Sequence, residues 1–217
     1  MKYKLAIFDM DGTILNTIDD LADSLNVVLK EYDMPTHTVE EVKNFVGNGI
    51  HKLIERAVPK GSDNETIERV FDSYNRYYKE HCAVKTKPYD GIKETIIELK
   101  EAGVITAVVS NKADYGVQSL CEDYFDGLFD FALGEKEGVR RKPCPDSVNA
   151  VMEKFKTEKK DTVYIGDSEV DFETSRNANV DVIMVAWGFR DEKTIRDLGA
   201  KTIVHKPVEI KNIILNS

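Results

Sequence analysis

The sequence has few cysteines, and they form no recognisable pattern. Cys82, Cys121 and Cys144 are odd in number and far apart, and no two of them make a Cys-x-x-Cys pair. A disulfide-stabilised secreted domain typically has an even set of cysteines at close spacings. The sequence therefore predicts free thiols and a reducing compartment, and the expected location is the cytoplasm.

Long apolar runs are also missing. Nowhere do about 18 apolar residues follow one another, which is the length that a membrane-spanning helix needs. At the N-terminus Lys2, Lys4 and Asp9 interrupt the apolar residues, so the segment lacks the core of a signal peptide. We expect no membrane span and no membrane partner.

Positive charge is in deficit. The 30 Lys and Arg residues against 39 Asp and Glu give a formal charge of −9, and the pI is about 5.1. Such a surface disfavours nucleic acid as a partner and repels phosphorylated ligands at long range. Any phosphate site in this chain must therefore bring its own positive charge. With 217 residues, the chain can form one core with a small insert, and we expect a monomer or a dimer.

Short apolar runs alternate with helical patterns over most of the chain. Six runs are predicted strands, at residues 5–9, 104–109, 129–133, 162–165, 180–185 and 202–204. Nearly every residue in them is apolar, which is typical of strands buried on both faces of a parallel sheet. The predicted fold class is α/β, with a doubly wound, Rossmann-like parallel sheet as its core.

A helical insert separates the first two strands. The gap of about 95 residues is far longer than one crossover helix requires. Within it, residues 18–32, 39–45, 49–57 and 65–82 have helical patterns. The sequence therefore predicts a sheet domain of residues 1–15 and 84–217 and an inserted helical domain of residues 16–83.

Polar residues follow three of the predicted strands. Asp9 and Asp11 close the first strand, Ser110, Asn111 and Lys112 close the second, and the GDSEVD segment, with Asp167 and Asp171, closes the fourth. Ligands of doubly wound sheets bind outside these carboxyl ends. Lys142 precedes the helix that leads into the fourth strand. We therefore expect these side chains to converge.

The carboxylates have three possible explanations. A calcium loop of the EF-hand type is excluded, because its twelfth residue would be Asp20 instead of Glu and because a strand, not a helix, precedes it. Asp9 and Asp11 could cap a turn, but this leaves Asp167 and Asp171 unexplained. Four carboxylates with no nearby His or Cys set indicate Mg²⁺, and Lys142 beside them suits a phosphoryl group.

In this order, the motifs resemble those of the haloacid dehalogenase superfamily of phosphohydrolases. DMDGT is similar to its first motif, Ser110 to its second, Lys142 to its third and GDSEVD to its fourth. The insert resembles the small helical cap domain of that family. The segments NFVGNGIHKLIERA and VDVIMVAWGFR resemble the phosphoglycolate phosphatase branch, from which Asn16 departs because that branch often has Asp there.

The resemblance implies a role for each site residue. Asp9 would be the nucleophile that forms an aspartyl-phosphate, and Asp11 would be the acid and base that also meets the metal through its backbone carbonyl. Ser110, Asn111 and Lys142 would bind the phosphoryl group. Asp9 and Asp167 would bind Mg²⁺ directly. Asp171 would be a further Mg²⁺ ligand or, as we favour, a partner that holds the direct ligands in place; alternatively it would cap the following helix.

These roles imply a Mg²⁺-dependent phosphatase acting on a small phosphorylated metabolite, with 2-phosphoglycolate as the best single guess. A sugar phosphomutase of the β-phosphoglucomutase type shares every core motif and is the alternative. A non-catalytic protein that binds a partner through the insert is a further alternative, although every implied catalytic position holds a competent residue.

Overall fold

The structure, a computed structural model, describes residues 2–216, and these divide into two compact units. One unit comprises the chain up to Leu15 and from Pro88 onward. The other unit is Asn16–Lys87. None of the helices in the described chain is long and apolar enough to cross a bilayer.

The first unit contains a parallel sheet of six strands, which are β1 (Leu5–Phe8), β4 (Ile105–Ala113), β5 (Phe131–Glu135), β6 (Thr162–Gly166), β7 (Asp181–Val185) and β8 (Ile203–Val204). Across the sheet they lie in the order β5-β4-β1-β6-β7-β8. The chain moves outward from β1 to β5, and then returns to the other side of β1 with β6. This reversal marks the place where doubly wound sheets bind ligands, and the predicted α/β fold class is confirmed.

Helices cover both faces of the sheet. They are α5 (Ile92–Glu101), α6 (Asp114–Phe125), α7 (Asp146–Phe155), α8 (Glu169–Ala178), α9 (Glu192–Asp197) and α10 (Pro207–Leu215). Successive residues of β1 face opposite sides, so that Phe8 belongs to one buried apolar cluster and Ile7 to the other. Helix α10 was not predicted; its Ile210 and Ile214 pack into the same cluster as Phe8.

Strand β4 is longer than predicted. The apolar run ends at Val109, but the strand continues to Ala113, with an irregular register against β5 between these two residues. Ser110, Asn111 and Lys112 therefore lie within the strand and are buried. The predicted strand ended at Val109 because the apolar residues end there, whereas the pairing of the backbone with β5 continues to Ala113.

The second unit is helical. It contains α1 (Ile18–Glu31), α2 (Val39–Phe45), α3 (Ile50–Ala57) and α4 (Asn64–His81), which lie within two residues of the predicted helices. Helix α4 packs on α1 and α3. Tyr74 and Tyr78 of α4 are buried, and their rings stack on each other.

The helical unit ends four residues beyond the predicted residue 83. The buried carboxylate of Asp20 accepts hydrogen bonds from the backbone N–H groups of Lys85 and Thr86 and from the Thr86 hydroxyl, at 2.8–2.9 Å. These bonds attach the returning chain to the first turn of α1. Two short strands, β2 (Leu15–Asn16) and β3 (Lys87–Pro88), pair where the chain passes between the units.

Candidate active site

Three buried carboxylates converge at the carboxyl ends of β1 and β6. Asp9, Asp167 and Asp171 each offer an oxygen, and these oxygens lie within 4.8 Å of one another. The two strands are parallel neighbours in which Phe8 pairs with Ile165, so the residues that follow them lie side by side. Like charges this close repel one another strongly when buried.

Lys142 supplies the positive charge among these carboxylates. Its ammonium nitrogen lies 2.8 Å from Asp9 Oδ1, 2.7 Å from Asp171 Oδ1 and 3.0 Å from the Tyr164 hydroxyl, and its side chain is 3% exposed. Burial lowers the pKa of the ammonium, but Asp171 and Asp9 outweigh it and raise that pKa well above its usual value. Lys142 therefore stays charged, as its predicted role requires.

Asn111 positions the backbone of Lys142. Its side-chain amide donates to the Lys142 carbonyl at 3.0 Å and accepts the Lys142 N–H at 2.8 Å. The phosphate-binding role assigned to Asn111 stays a prediction, and this amide already has a structural task. Ser110 Oγ accepts the Lys112 N–H at 3.1 Å.

Asp171 is surrounded by donors. Its Oδ2 accepts from the N–H groups of Asp167 and Ser168 and from the Ser168 hydroxyl, and its Oδ1 contacts Lys142 and Tyr164. Burial raises the pKa of this carboxyl, but the charge of Lys142 and the Ser168 hydrogen bonds bring it below its usual value. Asp171 thus both caps α8 and holds Lys142.

Asp167 and Asp9 are less well compensated. Burial and the charge of Asp171 raise the pKa of Asp167 to about 7, although the Phe189 N–H donates to its Oδ2 at 2.7 Å. Burial and Asp171 also raise the pKa of Asp9, against the effect of Lys142. A cation at these two carboxylates would relieve that cost, and an all-oxygen donor set fits Mg²⁺.

Asp11 lies outside the carboxylate cluster. Its two oxygens lie 3.2 and 3.4 Å from the ammonium nitrogen of Lys112, and its side chain is 23% exposed. The two aspartates of the first motif therefore have different lysine partners. The predicted metal contact of Asp11 through its backbone carbonyl stays a prediction.

Close packing around Asp167 requires glycine at two positions. A Cβ on Gly188 would lie 2.2 Å from Asp167 Cβ, and one on Gly12 would lie 2.4 Å from Asp167 Oδ2. Gly12 also has a φ of +84°, which disfavours other residues. The backbone therefore encloses Asp167 more tightly than its motif alone reveals.

Several residues that support the site leave no recognisable motif in the sequence. Tyr164 lies inside an apolar strand and has the pattern of a core residue. Phe189 contributes a backbone N–H, which a side-chain pattern does not reveal. Arg190 follows it and makes two contacts with Glu169, at 2.7 and 3.0 Å. Lys112 was expected at this edge of the sheet, but its contact with Asp11 was not predicted.

A parallel sheet that gathers an Asp-x-Asp pair, a lysine and two further aspartates at one edge defines a class of hydrolases. Residues 6–185 match the model of the haloacid dehalogenase-like hydrolase family, and the chain belongs to that family. It is 32% identical over 204 residues to the phosphoglycolate phosphatase of Haemophilus influenzae, covering 90% of this chain and 91% of that protein. The predicted family and branch are confirmed.

Solved structures agree over the full chain. A protein of Lactobacillus delbrueckii subsp. bulgaricus, provisionally described as a phosphoglycolate phosphatase, is 39% identical with a TM-score of 0.96, and each chain is covered completely. A predicted phosphoglycolate phosphatase of Haemophilus somnus is 29% identical with a TM-score of 0.91, and 98% of each chain is covered. The similarity thus includes both compact units.

Proposed function

We propose that this chain is a Mg²⁺-dependent phosphatase that hydrolyses a small phosphate monoester through an aspartyl-phosphate. The observation that carries the proposal is the position of Lys142, whose ammonium bridges Asp9 and Asp171 within the carboxylate cluster. A lysine held there offsets negative charge on Asp9 and leaves room for a cation between Asp9 and Asp167. Family membership supports the same reaction.

Asp9 acts as the nucleophile in the first half of the reaction. One of its carboxylate oxygens forms a bond to phosphorus while the bond from phosphorus to the ester oxygen breaks. Asp11 gives a proton to the leaving oxygen, so that an alcohol departs. In the second half, water attacks phosphorus, Asp11 takes a proton from that water, and the bond to Asp9 breaks to release phosphate.

Asp9 and Asp167 are the carboxylates that would hold Mg²⁺. When bound, the ion offsets the charge of the phosphoryl group and of the nucleophile. Asp171 keeps a different task, because its oxygens are engaged by Lys142 and by the N-terminus of α8. Ser110 Oγ accepts one hydrogen bond, which leaves its O–H to donate to a phosphoryl oxygen.

The proposed substrate is 2-phosphoglycolate. Its support is the similarity to proteins named phosphoglycolate phosphatase, which extends through the helical unit as well as the sheet unit. Small phosphorylated metabolites related to it are the substrate class.

A panel of phosphate esters tests the proposal. The purified protein with Mg²⁺ should release phosphate from 2-phosphoglycolate and from p-nitrophenyl phosphate, and EDTA should stop the reaction. Asp9→Asn should abolish turnover, while Asp23→Asn, at an exposed aspartate of the helical unit, serves as the matched control. Full activity of Asp9→Asn would contradict the mechanism, and formation of glucose 6-phosphate from β-glucose 1-phosphate would favour the mutase.

A further inference from the structure

Lys112 is a buried lysine at the candidate active site, and the proposed reaction assigns it no role. It lies near the end of β4, and its side chain is 4% exposed. Its ammonium nitrogen faces both oxygens of Asp11, at 3.2 and 3.4 Å. Lysine is almost never buried to this extent unless it is paired, and Asp11 supplies an opposite charge.

The path of the Lys112 side chain is well defined. Its backbone N–H donates to Ser110 Oγ at 3.1 Å. Its aliphatic stem passes Gly116 of α6, where an added Cβ would meet the stem at 3.6 Å, an ordinary contact distance. The strand, the Ser110 hydrogen bond and the surface of α6 thus fix the direction in which the ammonium points.

Each of the two aspartates of the first motif is paired with a different lysine. Lys142 contacts Asp9 and Asp171 in the buried cluster, whereas Lys112 contacts Asp11 outside it. The side chain of Asp11 is partly exposed, so its position depends on the groups that contact it. Lys112 is placed to hold it.

We propose that Lys112 is a positioning residue that keeps the Asp11 carboxyl apart from the carboxylate cluster, where it meets the leaving oxygen of the ester. The inference rests on the proposed function and extends it. Lys112 acts through Asp11 and does not itself bind substrate.

This role has a chemical signature. When the ester bond breaks, an alkoxide needs the proton of Asp11, whereas p-nitrophenoxide is stable without it. Misplacing Asp11 should therefore slow the cleavage of an alkyl phosphate more than that of an aryl phosphate. The parameter kcat/KM reports this, because it includes the steps up to departure of the leaving group.

The test is Lys112→Met, which removes the charge but keeps an unbranched stem. For the best alkyl phosphate of the panel, kcat/KM should fall at least about tenfold further than for p-nitrophenyl phosphate. General-acid catalysis contributes about 10²–10⁴-fold to such a reaction, and a misplaced Asp11 should lose part of that contribution. Lys100→Met removes a lysine that pairs with Asp130 elsewhere in the sheet unit, and it should leave the ratio of the two substrates unchanged.

A double-variant cycle distinguishes action through Asp11 from direct contact with substrate. If Lys112 acts through Asp11, adding Lys112→Met to Asp11→Asn should change kcat/KM by less than about twofold. The double variant leaves no unpaired charge, so this arm still decides the question if Lys112→Met alone folds poorly.

The outcomes that overturn the inference are distinct. An equal loss for both esters, or a further large loss in the Asp11→Asn background, would show that Lys112 acts on the phosphoryl group itself. Absence of turnover by the wild-type protein on every ester would overturn the proposed function and this inference together.

Discussion

Asp167, the proposed metal ligand, is enclosed by two glycines and a backbone N–H group. Gly188 and Gly12 leave space for the carboxylate, and the Phe189 N–H donates to one of its oxygens. A single added methyl group at either glycine would occupy the place of Asp167. The space left by these two glycines is therefore as necessary to the site as its charges are.

Gly188→Ala should impair catalysis and leave the fold intact. The new Cβ would lie 2.2 Å from Asp167 Cβ, so the carboxylate must shift, and a displacement near 1 Å costs on the order of 100-fold in rate. Measuring kcat/KM and Mg²⁺ binding by calorimetry checks this. Gly103→Ala is the control, because its Cβ would meet no atom within 4 Å; equal rates for both variants would contradict the steric argument.

Cys121 should be a slow thiol. Burial raises its pKa to about 12, and the thiolate is the reactive form. At pH 8, alkylation by iodoacetamide should therefore be at least about 100-fold slower in the folded protein than in urea, by the difference from an ordinary pKa of about 8.5. Peptide mass spectrometry over time measures both rates, and fast labelling of folded Cys121 would refute the expectation.

At the scale of elements, the returning segment of the helical unit is attached by one carboxylate. Asp20 accepts four hydrogen bonds of 2.8–2.9 Å from Lys85 and Thr86. These bonds join the start of α1 to the residues before β3. The segment has few apolar residues of its own, so we attribute its placement to this polar contact.

Asp20→Asn should destabilise the protein by about 1–3 kcal/mol. The amide keeps one acceptor oxygen, and its NH₂ group would face the N–H groups that now donate to the second oxygen. Urea unfolding monitored by circular dichroism measures this. Asp23→Asn breaks a neighbouring exposed ion pair with Lys85 and should change stability by less than about 1 kcal/mol. Equal effects of the two variants would mean that burial of Asp20 does not matter.

Side chains of helix α6 contact the backbone of edge strand β5. On edge strand β5, the Gly134 N–H donates to Asp114 Oδ1 at 2.8 Å, and the Ala132 carbonyl accepts from Gln118 at 2.9 Å. Both partners belong to α6. Backbone groups that would otherwise pair with another chain are thereby satisfied.

At the scale of the whole molecule, folding places several buried acids together, which costs stability unless a cation joins them. Burial raises the pKa of both Asp9 and Asp167. Binding of Mg²⁺ to the folded protein should therefore increase the free energy of unfolding.

Mg²⁺ should raise the melting temperature. An ion concentration about 100-fold above Kd adds about 2.7 kcal/mol, which for a chain of this size corresponds to roughly 5–10 °C. Differential scanning calorimetry with and without Mg²⁺ measures the shift. Asp167→Asn should remove most of it, and an undiminished shift in that variant would place the ion elsewhere.

The amino-acid sequence by itself determined the class of fold and the family, because buried parallel strands are continuously apolar and because Asp9, Lys142 and Asp167 belong to a recognisable order of motifs. It missed the continuation of β4 past Val109, since hydropathy ends there and backbone pairing does not. Only the tertiary structure decided the partners: Lys112 for Asp11, Tyr164 for Lys142 and the Phe189 N–H for Asp167. Such contacts join residues that are distant in the chain, or use the backbone, and so leave no local pattern in the sequence.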